Sequence, residues 1–189
     1  LILGDSQTQY SLNDIIIANS QNLSESADTY LYSYIKLKKI IPNNPQIDTL
    51  ILGYSYHNVS KEQDKWLKSE VINGFKFPIH YFLMDIAEVA FIFKNNPKNF
   101  FMFYIQSFKT NIGHLLRSFH GSEINQYGIG AYTPTAENEI QEKEKVAKEE
   151  VENLLEVKDL EYFHKIIDFC SERNIKIILL SAPLYQNTK

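Results

Sequence analysis

The chain has 189 residues, enough for one domain with a full hydrophobic core. Its composition, 44% hydrophobic and 22% charged with 7 Gly and 6 Pro, excludes a disordered or fibrous chain. A net charge of -4 supplies no positive field for a polyanion, which sets nucleic acid aside, and the single cysteine, Cys170, excludes an intramolecular disulfide and a multi-thiolate metal site.

In chain order, residues 1–3 form an apolar run bounded by Gly4 and Asp5, which predicts a short buried strand. Residues 19–23 are a weaker strand candidate. Residues 29–41 place Tyr30, Tyr34, Leu37 and Ile41 on one helical face, with Asp28 as N-cap and Pro42 as stop. Residues 49–52 predict the next strand.

Residues 61–130 fit a strand-helix alternation poorly. Of the 12 Tyr and 12 Phe in the chain, the phenylalanines concentrate between Phe75 and Phe119. Helices are predicted over residues 79–93 and over Phe100–Phe119, separated by Asn95-Asn96-Pro97, and the stretch reads as a helical insertion with its own small core, with a substrate lid as the alternative. The apolar run there is broken by His80, Asp85 and Glu88, so no continuous membrane span is expected.

A second long helix is predicted over residues 135–172. Its first half is rich in Glu and Lys, as in a solvated face, and Leu160, Phe163, Ile167 and Cys170 recur at helical spacing in its second half. It leads into a buried strand over residues 175–180. Strands alternating with helices imply an α/β class with a parallel sheet covered on both faces. The chain opens on Leu inside a strand and closes just after one, which predicts a single domain, 1–189, cut short at both ends.

An apolar strand ending in Gly4-Asp5-Ser6 puts a hydroxyl at the carboxyl edge of a parallel sheet, where open α/β folds bind their ligands. Backbone N–H groups after Ser6 can face a developing oxyanion. The same triplet is also an ordinary helix start with Asp5 or Ser6 as cap, and the triplet alone does not separate the two readings. No His-Glu-x-x-His spacing and no phosphate-cradling glycine loop is present, and Gly128-Ile129-Gly130 lacks the strand and third glycine of a dinucleotide fingerprint.

Leu3-Gly4-Asp5-Ser6, followed by the polar pair Gln7-Thr8, resembles the first block of the SGNH/GDSL hydrolase family. The resemblance implies a three-layer α/β/α flavodoxin-like fold with a parallel sheet. It also implies Ser6 as nucleophile, with Asp5 beside it in the catalytic block and the Ser6 N–H in the oxyanion hole. In the second block, within residues 22–29, Ala27 takes the position of a glycine that donates a backbone N–H. The third block corresponds to Leu52-Gly53-Tyr54-Ser55-Tyr56-His57-Asn58. Gly53 matches, Ser55 stands where the family has Asn, and Asn58 is the second candidate donor if the loop folds back. A Ser hydroxyl reaches less far than an Asn amide, and losing one hole donor costs on the order of 3 kcal/mol of transition-state stabilisation.

The family's closing Asp-x-x-His block is absent from these residues. A serine nucleophile needs a base. Of the five histidines, His57 is best placed, following a strand expected beside the first and lining the site with Gly53. His80, His114 and His120 fall in the aromatic stretch, and His164 reads as packed or solvated on a helix. The expected base and its orienting Asp therefore lie beyond Lys189.

The resemblance implies a serine esterase or O-acyltransferase working through an acyl-enzyme at Ser6. Its substrate would be an ester-bearing small molecule or an extracytoplasmic glycan, with no cofactor or metal, and membrane contact only through an anchor outside the chain. Two rivals stand beside it: a non-catalytic SGNH-like domain that binds carbohydrate or protein with its Tyr and Phe side chains, and a Rossmann-like domain with an accidental Gly-Asp-Ser.

Overall fold

The computed structural model describes residues 1–54, 58, 60–119 and 158–181. Three parallel strands, β1 (Ile2–Leu3), β2 (Thr49–Gly53) and β3 (Lys176–Leu180), form a sheet in the order β1-β2-β3. Ile2 pairs with Ile51 and Leu3 with Leu52, and Ile51 in turn pairs with Ile178. On the free side of β1, Ile2 forms a parallel bridge to Asn22, with Ile2 N–H donating to Gln21 O and Leu23 N–H to Ile2 O, both at 2.9 Å. The chain thus leaves β1, returns on one side of it at Asn22, and crosses to the other side to form β2. This is an α/β arrangement with a parallel sheet.

The return from β1 runs through a short helix, α1 (Ser6–Ser11), and the crossover is α2 (Tyr30–Ile40). The single apolar face expected of α2 is too narrow a description: Tyr30, Leu31, Tyr32, Ser33, Ile35, Lys36 and Leu37 are all buried. The reason is its central position, packed against α7 (Lys158–Ser171) and beside the helices that follow β2. Its cap also differs from expectation. Thr29 holds the N-cap position without a side-chain bond, and Asp28 is turned inward onto lysines.

After β2 come α3 (Lys61–Lys68), α4 (Glu70–His80), α5 (Ile86–Asn95) and α6 (Phe100–Phe119). α6 spans the expected residues, but 79–93 is not one helix. α4 ends at His80, and α5 starts afresh with a capping box in which Asp85 and Glu88 satisfy each other's backbone N–H groups. Leu67, Phe77, Ile92 and Phe103 from these helices belong to one buried cluster with Leu3, Leu31, Leu50 and Leu52. The aromatic stretch therefore shares the sheet's core instead of building its own.

In α7 the buried positions are Asp159, Tyr162, Phe163, Ile166 and Cys170, with Leu160 and Ile167 at the margin. The helix ends at Ser171 and the chain turns out of it through Asn174, in the left-handed conformation at φ 55°, with Ile175 N–H donating to Cys170 O at 2.9 Å. The residues expected to extend this helix backward, 135–157, lie outside the described residues, as do 120–130 of the insertion. β3 is less buried than its sequence predicts: Ile178 and Leu179 are 38% and 48% exposed, on a strand paired only with β2 among the described residues.

Candidate functional site

The Gly4-Asp5-Ser6 turn lies at the carboxyl end of β1, flanked by residues 22–25 on one side and by Gly53 and Tyr54 on the other. Asp5 is the N-cap of α1, its Oδ1 accepting from Gln7 N–H at 2.9 Å and Thr8 N–H at 3.5 Å. Its other oxygen, Oδ2, accepts from the side-chain amide of Asn58 at 3.0 Å. Ser6 is the first helical residue, half-buried, and its N–H is one of the unpaired donors at the helix start. Asp5 therefore does what a cap does, while its second oxygen ties the turn to the loop after β2.

Gly53 acts through its lack of a side chain. A Cβ there would fall 1.9 Å from Thr8 Oγ1, and one at Gly4 would fall 2.3 Å from the same atom. Thr8, 2% exposed, fills the notch between the two glycines and so sets how closely α1 sits on β1 and β2. Tyr30 closes the floor of the site, its hydroxyl donating to Gly53 O at 3.2 Å. Burial holds the Tyr30 phenol far above its usual range, with Asp159 and Asp5 adding to the shift, so it stays protonated.

Ala27 sits in a turn in which Asp28 N–H donates to Glu25 O at 3.0 Å, and its φ of 62° is in the left-handed region that favours glycine. Such a position in a non-glycine residue persists only where surrounding contacts over-determine it. Two sets do so here. Glu25 N–H donates to Gly4 O at 3.1 Å, and Ser26 Oγ donates to Gln9 Oε1 at 3.0 Å, which lash the turn to the Ser6 segment. Beneath it lies a buried ion cluster.

In that cluster Lys36 Nζ lies 2.6 Å from Asp28 Oδ2 and donates to Leu23 O at 2.9 Å; Lys76 Nζ lies 2.8 Å from Asp28 Oδ1 and 3.0 Å from Glu25. Asp28, Lys36 and Lys76 are all buried. Burial pushes the Glu25 carboxyl up, but Lys36 and Lys76 outweigh it and hold the group below its ordinary value. Each lysine head thus finds paired oxygens, the condition under which buried charge is tolerated.

Among the sequence-predicted residues, Asp5, Ser6 and Gly53 lie at the turn, and Asn58 reaches it through its side-chain amide, which donates to Asp5. Ser55 and His57 lie outside the described residues, as does His120. His80 is fully buried beside the ion cluster, its Nδ1–H donating to Lys76 O at 2.9 Å and its ring 5.0 Å from that of Tyr32. Burial, reinforced by Lys36, pulls its pKa down to about 4, so it is neutral near pH 7. His114 lies on α6, and His164 is exposed on α7. No described histidine is hydrogen-bonded to Ser6.

Among the described residues no group of three or more His, Cys, Asp or Glu could hold a metal ion, and no helix is long and apolar enough to cross a membrane. Thr8, Lys36, Lys76 and Tyr30 are the site-building residues that the sequence did not single out. Comparison with protein-family models, with curated proteins and with solved structures finds no match to this chain.

Proposed function

We propose that this domain is an SGNH-type serine esterase or O-acyltransferase with a flavodoxin-like core, in which Ser6 forms an acyl-enzyme. The observation that carries the reading is the position of Ser6. It sits at the carboxyl end of β1, where the chain's neighbours pass to opposite sides, which is the crevice where open α/β sheets bind their ligands. The left-handed Ala27 turn supports it, because Glu25 N–H in that turn donates to Gly4 O and holds the turn against the Ser6 segment.

In this mechanism Ser6 Oγ attacks the ester carbonyl carbon, and the N–H groups of Ser6 and Ala27 stabilise the oxyanion. A side-chain donor from the loop after β2, Ser55 or Asn58, completes the hole. Asn58 also donates to Asp5 and so fixes the carboxylate that caps the Ser6 helix. A general base takes the Ser6 hydroxyl proton as the bond to the carbonyl carbon forms and passes it to the departing alcohol; it then takes a proton from water or an acceptor hydroxyl, which attacks the acyl-enzyme and releases the acyl group from Ser6. A small acyl group, acetyl above all, on a small molecule or a cell-surface glycan is the substrate class that the resemblance suggests.

A second reading is favoured by one observation, the absence of any described histidine bonded to Ser6: a non-catalytic domain of the same fold that binds carbohydrate or protein. Hydrolysis of a small acetyl ester by the full-length protein separates the two. Loss of turnover in Ser6→Ala with unchanged thermal melting supports the esterase; equal turnover in wild type and variant excludes Ser6 as the nucleophile.

A further inference from the structure

α6 has two unlike sides. One is packed on α4 through Phe103 and Ser107, with Asn111 Nδ2 donating to Pro78 O at 2.9 Å. The other carries Phe101, Ile105, Phe108, Ile112 and Leu115 at alternating spacings of four and three, the period of a continuous helical stripe. These residues are 38% to 70% exposed. Phe82, 54% exposed, extends the stripe sideways with its ring 5.5 Å from that of Phe108. An apolar surface this continuous marks a contact site in a soluble domain.

Its charge identifies the occupant. Residues 89–119 contain Lys94, Lys98, Lys109 and Arg117 and no Asp or Glu, within a chain of net charge -4. Lys94, Lys98 and Lys109 are exposed, and among the described residues none of the three is in an ion pair. A second copy docked through α6 would set the lysines of residues 89–119 against the same lysines, with no acid within that segment to offset them. A bilayer with anionic headgroups accepts both the apolar stripe and the cations.

From this we propose that the exposed face of α6 binds the surface of an anionic phospholipid bilayer. The helix lies in the interfacial plane, since it is not long and apolar enough to span. The proposal stands independently of the chemistry at Ser6.

Co-sedimentation of the full-length protein with phosphatidylcholine vesicles, with and without phosphatidylglycerol, tests it. The protein is expected to sediment with the anionic vesicles, less so as salt is raised, and partitioning is expected to fall at least about tenfold in Lys98→Glu/Lys109→Glu and in Ile105→Ser/Ile112→Ser. The substituted side chains are exposed, so thermal melting is expected to stay unchanged. Failure of the wild type to bind anionic vesicles overturns the proposal, as does equal binding by the charge-reversed variant. A concentration-dependent dimer in sedimentation velocity that Ile105→Ser/Ile112→Ser dissolves assigns the face to a second copy and overturns it as well.

Discussion

The carboxylate of Asp159, near the start of α7, accepts hydrogen bonds from the backbone N–H groups of Tyr30 and Leu31 at 3.0 and 3.1 Å. It thereby caps α2 across a sequence separation of 129 residues. The cap makes the crossover helix, and through Tyr30 the floor of the Gly53 turn, depend on the docking of α7. Removing it in Asp159→Ala is expected to destabilise the fold by about 2 kcal/mol, read by urea denaturation.

Asp159 also predicts a pH dependence. Burial pushes its carboxyl up from 3.8 to about 7, against the pull of the two N–H groups. The native state therefore holds this proton more tightly than the unfolded chain does, and the stability it contributes is complete below about pH 4 and lost as pH rises through 7. Asp159→Asn, which does not titrate, is expected to lose less stability than wild type between pH 5 and pH 8, both pH values being approximate bounds of that window.

His80 has the opposite sign. Its folded pKa is lowered from 6.5 to about 4, so the unfolded chain takes up the proton first, and stability present above pH 6.5 is lost as pH falls toward 4. In the window between those values the two groups oppose each other. Comparing wild type with His80→Phe in urea melts across that window isolates the histidine: the variant is expected to show a flatter acid limb.

The buried cluster at Asp28 is expected to be intolerant of losing one partner. Lys76→Met leaves Asp28 and Glu25 with a single ammonium between them, and an uncompensated buried charge costs on the order of 3–5 kcal/mol. A drop in the urea midpoint of that size, accompanied by loss of any Ser6-dependent ester hydrolysis, is the expected outcome, because the cluster underlies the Ala27 turn.

Much of the sheet was legible because short apolar runs bounded by Gly, Asp, Asn and Pro mark strands locally, and α6 because its period persists over 20 residues. Features that depend on distant parts of the chain were not. Asp28 precedes a helix as a cap would, yet the capping oxygens come from Asp159. The break between α4 and α5 hides in an apolar stretch, where only the Asp85 and Glu88 pair marks a new start. At the site, Gly4 and Gly53 were visible as turn residues, whereas Thr8 gains its role only when β1 and β2 come together. Lys36 and Lys76 occupy ordinary helical positions, and nothing in their immediate sequence says that they are buried.

The glycine notch predicts a double-mutant cycle. Gly53→Ala places a methyl group 1.9 Å from Thr8 Oγ1 and is expected to cost about 1–3 kcal/mol. Thr8→Ala removes the clashing oxygen, so the double variant is expected to be more stable than the sum of the two single losses predicts, by about 1 kcal/mol in urea denaturation.

The central claim, that Ser6 is an activated nucleophile, is tested most directly by treating the full-length protein with a fluorophosphonate and locating the adduct by peptide mass spectrometry. The account predicts a single stable adduct on Ser6 that is absent from Ser6→Ala. Failure of Ser6 to label, or labelling of equal extent in Ser6→Ala, would contradict it.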